Sequence, residues 1–304
     1  MDGILVMNKP AGMTSATLVS KVKRILGGPK VGHTGTLDPF ATGVLVLCVG
    51  AATRLARFFL HGDKTYDATL ALGVTTDTQD PTGQVVDTRE VPDLSEDEIK
   101  EAFAGFVGEI EQTPPVYSAL KHNGVPLYKL ARSGKPVQKP PRKVTIHWID
   151  VTGVDLPRVT FSAHCSGGTY IRTLCADVGG RLGCGGHLSE LRRTNNSGFS
   201  IDEALDLQTL KEMARSGKAA EALIPMADAL PRMPEFLAGP GVAGKIANGQ
   251  EILWEELVPA DKGQEEFDPQ HVKVVDAQRN LLAVMGPRPD GEGLSYCCVF
   301  GGRK

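Results

Sequence analysis

One run constrains this chain more than any other: Gly32-His33-Thr34-Gly35-Thr36-Leu37-Asp38-Pro39-Phe40-Ala41-Thr42-Gly43-Val44-Leu45. Its first part is turn-forming. Its end enters the apolar, β-rich stretch Gly43 to Val49, which reads as a central strand. Three glycines and a proline surround one carboxylate, Asp38. Glycine permits backbone angles closed to other residues. Pro39 fixes its own φ and pushes Asp38 toward extended or turn shapes. Such a segment serves backbone geometry more than core, so the fold must present Asp38 at the mouth of an interior strand. Taken alone, an Asp-Pro pair reads as a turn or cap aspartate, because Asp favours those positions.

The rest of the chain reads as α+β. Ile4 to Met7 is a short buried strand. Thr14 to Leu26 is an amphipathic helix with Ser15 as cap, Leu18, Val22 and Ile25 on one face, and Gly27-Gly28 as stop. Thr53 to Leu60 reads as a helix and Lys64 to Leu72 as a strand carrying Tyr66. Asp80-Pro81-Thr82-Gly83 is a turn. Ser95-Glu96-Asp97-Glu98 is a capping box opening a helix to about Phe106. Val144 to Val154 and Arg158 to Cys165 predict a hairpin, Tyr170 to Leu182 a helix, Gly186 to Thr194 a strand, and Ile201 to Ala222 two short helices. Pro225, Pro231, Pro234 and Pro240 make a linker-like run. Short strands follow it at 272–275, 281–285 and 296–300. The expected division is a catalytic domain at 1–228 and a small all-β module at 229–304.

A length of 304 residues suits that division. No apolar run approaches the ~20 residues of a membrane span, and the N-terminus lacks the pattern of a signal peptide. None of the six cysteines forms a Cys-x-x-Cys pair, and no His spacing completes a zinc site. Free thiols in a reducing cytoplasm, and no metal, are expected. Gly239 to Gly244 fits the permissive G-x-G-x-x-G pattern, but no strand is expected before it, and Ile246 stands where a phosphate loop needs Ser or Thr.

The net charge of -3 argues at first against a nucleic-acid partner, yet the charge is segregated. Met1 to Gly62 holds seven Lys or Arg and two acids. Gln112 to Ile149 holds seven more (Lys121, Lys129, Arg132, Lys135, Lys139, Arg142, Lys143) and no acid. Local field outweighs the sum at a phosphate backbone. The proline-rich basic stretch 121–143 therefore reads as an RNA-tracking insertion that holds one short helix, Leu127 to Arg132.

The Asp38 run resembles the catalytic motif of the TruB family of tRNA pseudouridine synthases. The resemblance extends through Asn8-Lys9-Pro10, Lys64-Thr65-Tyr66, Gln112-Thr113-Pro114-Pro115-Val116-Tyr117-Ser118-Ala119, Cys165 to Leu174 and Leu188 to Arg193. It implies a mixed, largely antiparallel sheet with flanking helices, followed by a PUA-like module. It implies that a uridine, uridine 55 in the T-loop of tRNA, becomes pseudouridine. The base leaves its sugar, turns and rejoins through carbon, so no cofactor is required. Asp38 is then the catalytic carboxylate, acting as nucleophile or base. Tyr66 matches the active-site tyrosine, Arg172 the arginine that pairs with the aspartate, His33 a residue that enters the RNA loop, and Leu191 a pocket residue. Lys9 and Pro10 match a supporting motif. The target base must be flipped out of its loop. Partners are the T-arm of tRNA, with no membrane and no obligate protein. Two rivals remain: a non-catalytic RNA-binding or RNA-folding protein, and a subunit guided by a separate RNA. A Ser-His-Asp hydrolase is set aside because no G-x-S-x-G elbow is present.

Overall fold

In the computed structural model, residues 1–260, 270–288 and 293–300 are described. The chain opens with β1 (Gly3–Lys9), which is buried on both faces. Helix α1 (Ser15–Ile25) follows. Its cap is Thr14, one residue before the expected Ser15, and accepts the Thr17 N–H at 3.0 Å. Strands β2 (Val31–His33) and β3 (Thr42–Val49) pair antiparallel with His33 opposite Leu47, so Asp38 lies in the connection between them.

A 3-10 turn over Gly50–Leu55 and the short α2 (Ala56–Leu60) replace the single helix expected there. They lead into β4 (Lys64–Leu72). β5 (Val74–Thr76) and β6 (Val85–Thr88) form a hairpin around the Asp80 turn. The capping box opens α3 (Glu96–Ala104), and β7 (Gly108–Gln112) follows. The basic excursion contains β8 (Lys121–His122), β9 (Val125–Pro126) and α4 (Leu127–Arg132). β10 (Arg142–Asp155) and β11 (Arg158–Cys165) form the expected hairpin. Then come α5 (Ile171–Arg181), β12 (Gly186–Asn196), β13 (Phe199–Ser200) and α6 (Leu207–Arg215). Of the two short helices expected before Ala222, α6 is the α-helix; 3-10 turns flank it.

Nine of these strands form one sheet in the order β1-β3-β12-β4-β11-β10-β7, with β2 on β3 and β13 on β12. Only β12 and β3 run parallel within it; the other pairs are antiparallel. That parallel contact brings Arg193 opposite Gly43. Gly43 has a φ of +100°, and a Cβ there would lie 2.2 Å from the Arg193 carbonyl oxygen. A side chain at residue 43 would force β3 and β12 apart, so the glycine is a condition of the sheet.

Side chains on β1 and β3 sort by face. Leu5, Met7, Leu45 and Leu47 pack with Leu18 and Val22 of α1 and Leu210 of α6. Ile4, Val6, Val44 and Val46 pack on the opposite side with Phe59 and with Val275, Leu281 and Val284 of the C-terminal sheet. A third cluster sets α3 and α5 against β4, β10 and β11 through Ile99, Phe103, Leu174, Val178, Leu70, Ile146 and Phe161.

The C-terminal sheet takes β14 (Glu235–Leu237), β15 (Val258–Pro259), β16 (Val272–Val275), β17 (Leu281–Pro287) and β18 (Leu294–Val299), in the order β15-β14-β16-β17-β18. It is strand-rich as expected and also carries α7 (Pro240–Ala247). The glycine run opens that helix, and β14 does precede it. Lys245 there is paired with Glu256. The proline run is packed instead of hanging free. Ala227 and Leu230 are buried, and their carbonyls accept from the buried Lys273 ammonium at 2.8 and 3.1 Å. All six thiols are free; four are buried, and Cys297 and Cys298 are half-buried.

Candidate active site

Three side chains and one turn hold the loop that carries Asp38. The buried Ser15 hydroxyl donates to the Leu37 carbonyl at 3.0 Å and accepts the Leu37 N–H at 2.9 Å. The buried Lys9 ammonium donates to the Pro39 carbonyl at 3.3 Å, and to Pro10 and Met13 at 2.9 and 2.8 Å. Arg193 donates to the carbonyls of Gly35 and Val44 at 3.0 and 2.8 Å. The Ala41 N–H closes a turn on the Asp38 carbonyl at 3.2 Å, with Pro39 in the position where its fixed φ suits such a turn.

Arg172 lies in the first turn of α5, 5% exposed, and its Nε is 3.0 Å from the Asp38 Oδ2. Its remaining donors reach Asp80 Oδ2 at 3.1 Å and the carbonyls of Thr78 and Tyr117 at 3.0 and 2.8 Å. One guanidinium therefore joins two carboxylates from separate loops. Asp80 is fully engaged, since its Oδ1 also accepts from Thr78 Oγ1, Thr82 N and Thr82 Oγ1 at 2.8, 2.9 and 2.6 Å. Asp38 differs. Its surroundings are crowded, yet its side chain keeps 31% exposure. Burial pushes the Asp38 carboxyl above its ordinary value; Arg172 pulls it down, Asp80 raises it and Lys9 lowers it.

Two cavities meet at Asp38 and Arg172. The smaller, about 320 Å³, is lined by Lys64, Tyr66, Ser118, Arg142, Leu191 and Arg193 among others. The larger, about 640 Å³, is lined by His33, Asp80, Tyr117, Tyr128 and Arg132. Tyr66 is 8% exposed and opens from the apolar core. Burial raises its pKa, and the nearby Arg193 guanidinium opposes that rise. Leu191 stands on β12 in the same cavity wall, its carbonyl accepting from Thr42. His33 faces the larger cavity; its Nδ1 accepts the Gly35 N–H at 3.4 Å, and burial lowers its pKa.

The basic residues divide. Arg132 and Arg142 reach the cavities, Arg142 with its guanidinium 5.0 Å above the Tyr170 ring. Lys121 and Lys129 are exposed on the excursion. Lys139 lies 3.4 Å from His122, and Lys143 pairs with Glu109 at 2.7 Å. Lys143 and Arg142 are successive strand residues and so point to opposite faces.

Four site residues escaped the reading of the sequence. Asp80 shares with Asp38 the Asp-Pro signature and does what that signature ordinarily means. Lys64 and Arg193 stood in the quoted motifs without a role. Both are buried, and no carboxylate lies within ion-pair distance of either among the described residues. Burial lowers Lys64 to about 8, and Lys9 to about 8 as well. The floor beneath Tyr66 is thus electropositive. Ser118 lines both cavities, is 4% exposed, and its hydroxyl has no partner among the described residues.

The model of the TruB family pseudouridylate synthase N-terminal domain matches residues 23–171, and that of the tRNA pseudouridylate synthase B C-terminal domain matches 172–231. A tRNA pseudouridine synthase B of Geobacter sulfurreducens is 48% identical over 230 residues, covering 76% of each chain. This chain belongs to the TruB family of pseudouridine synthases. The TruB relative of Clostridium kluyveri is 48% identical over 258 residues, 85% of this chain and 88% of its own. That of Burkholderia mallei is 42% identical over 284 residues, 93% and 92%. In three dimensions the chain is similar to Cbf5 in a Cbf5-Nop10-Gar1 complex, with a TM-score of 0.74, 26% identity and coverage of 98% and 84%. The archaeal box H/ACA Nop10-Cbf5 complex matches with a TM-score of 0.72 and 25% identity, covering 98% and 85%. The TruB chain is accordingly an isomerase of the pseudouridine synthase fold. No helix among its described residues is long and apolar enough to cross a membrane.

Proposed function

We propose that this enzyme isomerises uridine 55 in the T-loop of tRNA, acting alone in the cytoplasm, with Asp38 as the essential carboxylate. The observation that carries this reading is the Arg172–Asp38 contact at 3.0 Å, set at the mouth of the cavity that contains Tyr66. The relatives' names support tRNA as the substrate.

In this reading a flipped uridine enters the cavity of about 320 Å³, which falls within the ~300–1,000 Å³ range of small-ligand sites. Tyr66 stacks on the uracil and Leu191 bounds its edge. Arg172 aims Asp38 and keeps it ionised. A detached uracil carries negative charge, and the buried cations of Lys64 and Arg193 favour it there without rearranging. The Ser118 hydroxyl and the Arg142 Nε, both without a partner among the described residues, complete their hydrogen bonds on the substrate. His33 enters the RNA loop from the larger cavity, and Lys121, Lys129, Arg132, Lys139, Arg142 and Lys143 track phosphates. Residues 1–228 form the catalytic unit and 229–304 a PUA-like RNA-binding module.

The test is tritium release from tRNA labelled at uridine C5, compared for the wild type and Asp38→Asn. Release confined to the wild type supports the reading. Absent release leaves a non-catalytic RNA-folding protein, and equal release from the variant overturns Asp38 as the essential carboxylate. The likeness to Cbf5 in its complexes favours a guided enzyme as the second reading; release only upon addition of a guide RNA would establish it.

A further inference from the structure

We infer that Asp63, His147 and His164 form a binding site for a divalent transition-metal ion, Zn²⁺ by preference, outside the catalytic cavity. The three residues are separated in sequence and meet on one face of the large sheet. His164 lies on β11 directly opposite Thr65 of β4. His147 is the extra residue at a register shift in β10, between Ile146 paired with Cys165 and Trp148 paired with His164. A bulge of this kind re-aims a side chain, and here it brings the two imidazole rings to 4.9 Å. Asp63 stands just before β4 and is tied to the turn between β12 and β13 by its carbonyl, which accepts the Ser197 N–H at 2.8 Å.

One ligand atom from each residue lies within 4.8 Å of the others. His147 Nε2 is 3.4 Å from Asp63 Oδ1, and His164 Nε2 is 3.9 Å from Asp63 Oδ2. These separations exceed the usual 2.7–3.2 Å of an N–H···O bond. They approach the ~3.3 Å edge of a tetrahedron whose metal–ligand bonds are about 2.0–2.1 Å. Small rotations of exposed side chains close the difference. The second imidazole nitrogen of His164 is already engaged, with Nδ1 3.1 Å from Thr65 Oγ1. Donation from Nδ1 to that hydroxyl leaves the Nε2 lone pair directed at Asp63, as an outer-sphere partner does for a metal-bound histidine. Two imidazoles and one carboxylate suit Zn²⁺ and related borderline ions, with water completing the tetrahedron. The ion would brace the β10–β11 hairpin against the start of β4, next to Lys64 of the catalytic cavity.

The experiment titrates the chelator-stripped, full-length protein with Zn²⁺ alone, followed by calorimetry and by metal analysis after desalting. One Zn²⁺ per chain is expected. His147→Gln, His164→Gln and Asp63→Asn should each weaken binding by at least about 100-fold, and Thr65→Val by roughly 10- to 100-fold. Circular dichroism and tRNA binding report that each variant is folded. Co²⁺ substitution separates this site from the half-buried thiols Cys297 and Cys298. Visible d–d bands without thiolate charge transfer support the site. No stoichiometric uptake, uptake unchanged in the double histidine variant, or a thiolate charge-transfer band would overturn it.

Discussion

The Ser15 hydroxyl clasps Leu37 from both sides, donating to its carbonyl at 3.0 Å and accepting its N–H at 2.9 Å. Leu37 is the residue before Asp38, so helix α1 sets the backbone from which the carboxylate projects. Ser15→Ala leaves both backbone groups buried without a partner. The expected cost is about 1–3 kcal/mol, read from urea denaturation. Tritium release should slow at saturating tRNA, with KM little changed, because the loop and not the RNA surface is disturbed.

Arg172 links Asp38 to Asp80, and the two carboxylates should be coupled through it. Asp80→Ala removes a buried ion partner, and such losses run to about 3–5 kcal/mol. Asp80→Asn keeps the turn bonds and releases part of the guanidinium. Its kcat is expected to fall while tRNA affinity holds. Wild-type kcat in Asp80→Asn would show that Asp80 has no part in positioning Asp38.

Burial raises the Asp38 carboxyl, which fixes the sign of two effects. In the proposed role Asp38 acts ionised, so the acid limb of the rate profile should lie above the ordinary aspartate value of about 3.9. The unfolded chain gives up this proton more readily than the folded one. The stability that protonated Asp38 allows is therefore lost as pH rises through its unfolded and then its folded pKa. Asp38→Asn should abolish tritium release while leaving stability at neutral pH equal or higher, measured by denaturant titration.

Ser118 carries a buried hydroxyl with no partner among the described residues. Removing an unsatisfied polar group costs a fold little. Ser118→Ala should be as stable as the wild type or slightly more so, yet lose about tenfold in kcat/KM. Unchanged kinetics would show that the hydroxyl does not meet the substrate.

The exposed cations of the excursion should act through phosphate contacts. Replacing Lys121 and Lys129 by Ala should weaken tRNA binding and flatten its dependence on salt by up to about 0.7–0.9 per lost contact. Lys143, already paired with Glu109, should contribute less. The chemical step at saturating tRNA should be spared.

Local signals carried much of this molecule. Continuous apolar runs marked β1 and β3, alternation marked β4, and the Ser95 capping box marked α3, because these depend on neighbours within a few residues. The glycines and Pro39 likewise marked the Asp38 segment as presented. Tertiary structure decided who meets Asp38. Arg172 is 134 positions away in sequence, and Asp80 repeats the Asp-Pro pattern of Asp38 while serving as the engaged turn aspartate. The Asp-Pro pair alone does not distinguish the two; the flanking run does so in sequence, and the guanidinium between them and the opening of the cavity do so in the structure. Ser15 reads as a cap until Thr14 takes that place. His147 and His164 have no ligand spacing until a bulge turns one strand. Each of these outcomes depends on long-range packing and burial, which a sequence pattern of short period does not encode.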